Sequence, residues 1–233
     1  MMVQPVKLLD PGDVSAAQPM LMGSPKSLSD QAYERLLDMI LSGELPAGSI
    51  LQERKLADAL NISRTPAREA LGRLETEGLV TRKFGRLLAV RELTVHEFIE
   101  ILNVRKLLEV EAAGLAAGNV PKERTIAVRS AIEALMNAAK PTVAQHWAID
   151  DMVHGTVAEA SGNRMLASLI CDLRRRTHMF DMRRIPTRFE SSCQEHLLLI
   201  DAIERGHPTA ARKAAETHIE HVKLSIIDKL RNL

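Results

Sequence analysis

"SRTPAREALGRLETEGLV" runs from Ser63 to Val80. Ala67, Ala70, Leu71 and Leu74 recur at helical spacing and form one apolar stripe when residues are set about 100° apart. Ser63 stands at an N-cap position, Pro66 falls in the first turn, where a missing N–H costs nothing, and Gly78 ends the helix. The neighbouring face is harder to explain. Arg64, Thr65, Arg68 and Gly72 gather there, although the positive end of a helix dipole disfavours arginine. Something outside the helix must offset the arginines. Phosphates can do so, and guanine edges accept guanidinium groups bidentately.

Working outward, a helix is predicted from Leu28 to Leu41, stopped by Ser42-Gly43 with Gly43 placed for a left-handed cap. A turn-rich connector, "ELPAGSI" (44–50), leads to a short helix, "QERKLADAL" (52–60), which ends at Asn61. On the other side, "LVTRKFGRLLAVRE" (79–92) alternates around Gly85 and predicts a β-hairpin. Between residues 63 and 91 stand seven basic side chains (Arg64, Arg68, Arg73, Arg82, Lys83, Arg86, Arg91) against three acids (Glu69, Glu75, Glu77), so the patch is locally basic. Short helix, tight turn, arginine-led helix and hairpin are the parts of a winged helix-turn-helix. The alternative is a solvated basic helix face.

"LSGELPAGSILQERKLADALNISRTPAREALGRLETEGLV" (41–80) resembles the winged helix-turn-helix of GntR-family bacterial transcription regulators, a likeness that covers roughly residues 28–92. The resemblance implies that Arg54, Ser63, Arg64, Thr65 and Arg68 contact DNA, and that Gly85 at the hairpin tip reaches the minor groove. Two departures stand out. Gly72 sits where relatives often carry a basic residue, and "FGRLLAV" (84–90) is a more apolar wing than usual.

The whole chain of 233 residues carries a net charge of only +1, so no global field draws it to nucleic acid or to a membrane surface. Hydrophobic content of 45% allows a sizeable core, while aromatics at 3% and abundant Ala and Leu lean helical. Cys171 and Cys193 follow no paired spacing and read as reduced thiols of a cytoplasmic protein. No apolar run approaches the ~20 residues of a membrane span, and no basic-then-apolar leader opens the chain. Residues 1–26, rich in Pro and Gly, read as a flexible tail.

From Thr94 the character changes. Thr94-Val95-His96-Glu97 is a capping box, and helices are expected from there to the C-terminus. Breaks near Gly118–Pro121, Lys140–Thr142, Ser161–Asn163, Ile185–Thr187 and Gly206–Pro208 divide the segment into six helices of roughly 17–25 residues, an all-α bundle. The expected organisation is a tail (1–26), a winged helix-turn-helix domain (27–92) and an all-helical domain (93–233), mainly α overall. Within the bundle, Asp150 and His154 are one helical turn apart, and His196 and His218 border the apolar sides of later helices. If they converge, three imidazoles and a carboxylate make a nitrogen/oxygen site for a divalent Zn, Ni, Mn or Fe ion.

Residues 94–230 resemble the all-helical FCD ligand-binding domain of the FadR-type branch of these regulators. The resemblance implies that Asp150, His154, His196 and His218 hold the metal, that Asn163 in "SGN" (161–163) lies near the pocket, and that Arg105 in "NVRKLLEVEA" (103–112) faces an effector. A solvated surface charge is the alternative for Arg105. His221 is a candidate to hydrogen-bond a ligand or a group behind the metal site, whereas His96, His146, His178 and His207 read as structural or exposed. The function that emerges is a DNA-binding transcriptional regulator, a repressor in the first instance. It binds a palindromic operator as a homodimer and is controlled by a small carboxylate effector at the metal, with no membrane partner. A metal-dependent hydrolase is the competing reading, because the same ligands occur in catalytic sites. It lacks an evident general base: Asp151 and Glu195 adjoin ligands in sequence, but adjacent helix residues point about 100° apart.

Overall fold

The computed structural model describes residues 26–180 and 188–231. The predicted tail, up to residue 25, and the predicted break at Ile185–Thr187 lie outside the described residues. The chain opens with α1 (Leu28–Leu41), α2 (Glu53–Ala59) and α3 (Arg64–Thr76), followed by β1 (Val80–Lys83) and β2 (Leu87–Val90). Ser27 caps α1 by accepting from the Asp30 amide, and Gly43 closes the helix at φ +78°. Asn61, at φ +53°, makes the tight turn between α2 and α3; asparagine tolerates this left-handed region better than most residues. Leu36 from α1 packs against Leu71 and Leu74 from α3 and Leu79 before β1 to form a small core.

β1 and β2 pair antiparallel with Val80 opposite Val90. The connector adds to this hairpin: the Leu51 amide donates to the Leu88 carbonyl at 2.8 Å, and Ile50 bridges Ala89. The chain reverses through Phe84 and Gly85, both left-handed, at φ +53° and +72°.

The remaining elements are α4 (Val95–Ala116), α5 (Lys122–Met136), α6 (Val143–Ala160), α7 (Arg164–His178), α8 (Phe189–Glu204) and α9 (Pro208–Arg231). The capping box at Thr94–Glu97 opens α4, and a second one at Thr142–Gln145 opens α6. Six helices form the bundle among the described residues, but α5 and α7 have 15 residues and α8 has 16, shorter than the spacing of breaks suggested. α4 is the central strut, packed on α6, α7 and α9. Its buried stripe reads Phe98, Leu102, Arg105, Glu109, Ala112, Ala116, so two opposite charges interrupt an otherwise apolar row.

The end of α7 reaches the winged domain. Met179 packs into the core of α1 and α3, while Phe180 stacks on Phe98 of α4 at 4.4 Å between ring centroids. Among the described residues, no helix is long and apolar enough to cross a membrane.

Candidate metal centre and nucleic-acid face

On α3, Ala67, Ala70, Leu71 and Leu74 are buried as the stripe predicts, and Arg64 and Arg68 project from the other side. Ser63 occupies the N-cap position but makes no capping hydrogen bond through its side chain, contrary to expectation. The arginines are not left wholly to an outside partner. Glu53 of α2 lies 3.1 Å from Arg68 and 3.8 Å from Arg64, and so offsets part of the dipole penalty from within the protein. Both side chains stay 64% exposed, which leaves them available to a duplex. Arg54 is also exposed, loosely paired with Asp58 at 4.0 Å. Gly72 opens onto free space: a side chain there would meet nothing within 4 Å. At the wing tip Phe84 is 89% exposed beside Gly85.

In the bundle, Asp150 and His154 of α6, His196 of α8 and His218 of α9 come together and are all buried. One ligand atom from each lies within 4.8 Å of the others. Imidazole centroids are 5.3 Å apart for His154 and His196, 5.1 Å for His154 and His218, and 4.5 Å for His196 and His218. The Nε2 atoms of His154 and His196 are buried without a hydrogen-bond partner. Buried polar atoms in a packed core normally find partners, so these orphans are what a cation would occupy. The set therefore fits a divalent metal.

Carboxylates behind the histidines fix their orientation. Glu109 of α4 contacts Nδ1 of His154, and Glu195 of α8 lies 2.9 Å from Nδ1 of His218. Both acids are ionised. Burial opposes this, but Arg105 and His154 outweigh it for Glu109, and hydrogen bonds from His218 and His221 hold Glu195 at about 2. An ionised carboxylate can only accept, so each of these Nδ1 atoms carries its proton and each Nε2 presents a lone pair to the site. Burial also pushes the imidazoles down, His196 to about 4, and keeps them in the neutral form that ligates.

Asp150 divides its oxygens. Oδ1 lies 3.3 Å from the Nε2 of His196, close but without hydrogen-bond geometry, and Oδ2 accepts from Arg174 of α7 at 2.6 Å. Burial would raise its carboxyl, but Arg174 overrides it and holds the group well below the usual range. Arg174 also donates to Asp151 at 2.6 Å. That cation already bridges the two aspartates, so the other acidic group here, Asp150 with Asp151 and His178, needs no metal.

Arg105, Glu109, Arg174 and Glu195 thus complete the site. Arg105 is no surface charge: it is buried, with Nε donating to Glu109 at 2.6 Å and Nη1 to Thr177 at 3.2 Å. The roles of Glu109, Arg174 and Glu195 were missed. The first two had a signal, since each interrupts the apolar stripe of its helix with a charge. Glu195 points away from its neighbour His196, as helix geometry demands, and so meets α9. His221 approaches its other oxygen at 2.7 Å, the second of the two alternatives open to it, contact with a group behind the candidate ligands.

Beside the cluster lies a cavity of about 190 Å³, with Asp150, His218 and Arg105 in its wall. His146, expected to be structural or exposed, lines it too. Asn163 does not: it is exposed and caps α7, with Oδ1 accepting from the Leu166 amide at 3.1 Å, which corrects its placement at the pocket. His178 is partly enclosed, 3.3 Å from Asp151 and tilted against Trp147. His96 and His207 are exposed, as expected.

Comparison with known proteins gives two family matches: "Bacterial regulatory proteins, gntR family" over residues 28–90, and "FCD domain" over residues 100–221, more than half of the chain. The chain is 28% identical over 225 residues to the HTH-type transcriptional regulator Mce2R of Mycobacterium tuberculosis, covering 87% of this chain and 92% of that one. It is 29% identical over 226 residues to the Exu regulon transcriptional regulator of Escherichia coli, covering 88% and 86%. Among solved structures, E. coli McbR/YncC superposes with a TM-score of 0.77 at 22% identity, covering 88% of this chain and all of that one, a likeness of fold.

Proposed function

The chain belongs to the gntR family of bacterial regulatory proteins and carries an FCD domain, and from that premise we propose that a small carboxylic acid bound beside a divalent metal sets its affinity for DNA. The family and the relatives are transcriptional regulators, not enzymes, which disposes of the hydrolase reading. Regulators of this family bind DNA, and FCD domains bind small-molecule effectors. The finer reading rests on one observation above all: four buried ligand groups converge with two imidazole nitrogens left unpartnered, against the wall of a cavity.

Charge supports an anionic effector. Around the cluster three guanidinium groups, Arg105, Arg174 and Arg188, stand against four carboxylates, Glu109, Asp150, Asp151 and Glu195, and the imidazoles are kept neutral by burial. The protein groups therefore carry one net negative charge, which a divalent ion reverses, and the positive charge left over in a low-dielectric site is what an anionic effector offsets. The metal supplies an electrophilic contact for the acid; Asp150, His154, His196 and His218 hold it, and Glu109 and Glu195 orient two of them. Arg105 stands in the cavity wall, its Nε and Nη1 fixed by Glu109 and Thr177, so its guanidinium is oriented beside the space an acid would fill.

Arg64, Arg68, Arg54, Ser63 and Thr65 are the proposed DNA contacts, with Gly85 at the wing. A homodimer on a palindromic operator follows from specificity, because one winged domain reads only a few base pairs. The packed helices α4 and α7 leave Val104, Leu107, Met165 and Leu169 exposed, apolar surface of the kind that partners cover. The test is operator titration of metal-loaded and chelated protein with a panel of carboxylic acids. A change in DNA affinity on adding acid, abolished by the chelator, is the expected result; acid-independent DNA binding would end the proposal.

A further inference from the structure

The cavity beside the metal ligands is unusual for this chain. The protein has only six Phe, Tyr and Trp residues, and three of them, Phe98, Trp147 and Phe189, line this one space. Leu102, Ile219 and Val222 extend the apolar wall. Besides His218 and Asp150, which belong to the metal cluster, the wall carries the hydroxyls of Thr177, Ser192 and Ser225. Two side chains there have buried nitrogens without a hydrogen-bond partner, Nη1 of Arg188 and Nε2 of His146. The Arg188 Nη2 is held by Glu195 at 2.5 Å, which directs the guanidinium and leaves Nη1 to a ligand.

We infer that the effector is a compact aromatic carboxylic acid, its ring between Phe98, Trp147 and Phe189 and its carboxylate taken by Arg188 at the metal side. The inference rests on the carboxylate reading above and narrows it. Aromatic side chains recognise a ring by offset or edge-to-face packing as well as by apolar area. Leu102, Ile219 and Val222 offer a polyhydroxylated acid no hydrogen bond, and of the wall's hydroxyls Thr177 and Ser225 already donate to the Arg174 and Val222 carbonyls, so Ser192 aside few partners meet a row of hydroxyls and each one left unpaired is a loss. Size agrees: a cavity of about 150 Å³ lined by apolar groups accepts benzene, and this one is somewhat larger. The free Arg188 nitrogen then meets the acid group, in the charge-assisted geometry that guanidinium offers a carboxylate.

Trp147 is the only tryptophan, so its emission reports occupancy of this cavity alone. Zinc-loaded full-length protein is titrated with benzoate, phenylacetate, gluconate and benzyl alcohol. We expect saturable emission changes with the two aromatic acids, at affinities at least about tenfold above those of gluconate and of benzyl alcohol. Phe189→Ala should lower benzoate affinity severalfold with metal content unchanged. Should that variant not fold, the wild-type ranking decides alone. Gluconate binding as tightly as benzoate would overturn the aromatic inference and leave the carboxylate reading standing. Benzyl alcohol matching benzoate would overturn the carboxylate reading, and no binding by any acid would overturn both.

Discussion

The Oε2 of Glu195 lies 2.9 Å from Nδ1 of His218, and its Oε1 lies 2.7 Å from Nδ1 of His221. One carboxylate on α8 thereby sets the tautomer of a candidate ligand on α9. Such partners raise the basicity of the imidazole and hold its ring in the coordinating direction. Glu195→Gln should weaken metal binding by roughly 10–100-fold, measured by competition with a chromophoric chelator. Unchanged metal affinity would remove Glu195 from the site.

His196→Ala removes a ligand outright. It should abolish stoichiometric metal and lower the thermal midpoint of metal-loaded protein toward that of the chelated wild type, because a ligand that binds only the native state stabilises it by mass action. Far-ultraviolet dichroism should stay helical. Normal metal occupancy by mass analysis would exclude His196.

Arg64 and Arg68 share Glu53 as a partner. Replacing either by Ala should weaken specific DNA binding by about 1–3 kcal/mol if it makes a bidentate base contact, and each lost phosphate contact should flatten the salt dependence. Metal content should not change. A double variant that protects the same operator at the same concentration would show that α3 is not the reading helix.

Stability at low pH should depend on the start of α4. Hydrogen bonding to the Thr94 amide, aided by Arg91, lowers the Glu97 carboxyl from its usual 4.5 to about 2. A lowered folded value means that this contribution is present above about pH 4.5 and lost as pH falls from there toward 2. Glu97→Gln should therefore lower the thermal midpoint at pH 7 and leave a shallower decline on acidification. Thr94→Ala, which removes the cap itself, should cost about 1 kcal/mol by denaturant unfolding at pH 7.

If the exposed apolar side chains of α4 and α7 are covered by a second copy, Leu107→Asp should dissociate the dimer. Leu107 is 71% exposed, so the monomer should stay folded. Sedimentation at micromolar concentration reads the outcome; an unshifted dimer would place the interface elsewhere.

Much of the architecture is written locally. Ser27, Thr94, Thr142 and Gly43 mark helix ends through hydrogen bonds or dihedral angles involving residues a few positions away. The α3 stripe is read the same way, and the Asp150–His154 pair follows from one turn of helix. The partners of these groups are not local. Glu109, Arg174 and Glu195 belong to three helices, and their neighbours at the site are set by how α4, α7, α8 and α9 pack. Arg105 shows the difference best. In sequence it is as compatible with solvent as with a pocket, and its i,i+4 partner Glu109 suits either. Burial against Thr177, 72 positions away, makes it an interior ion pair. Helical periodicity and capping therefore determined the elements and the candidate ligands, whereas packing between helices decided which charges face the candidate metal site and that half of the aromatic side chains surround one cavity, because such proximity depends on long-range contacts that no local pattern encodes.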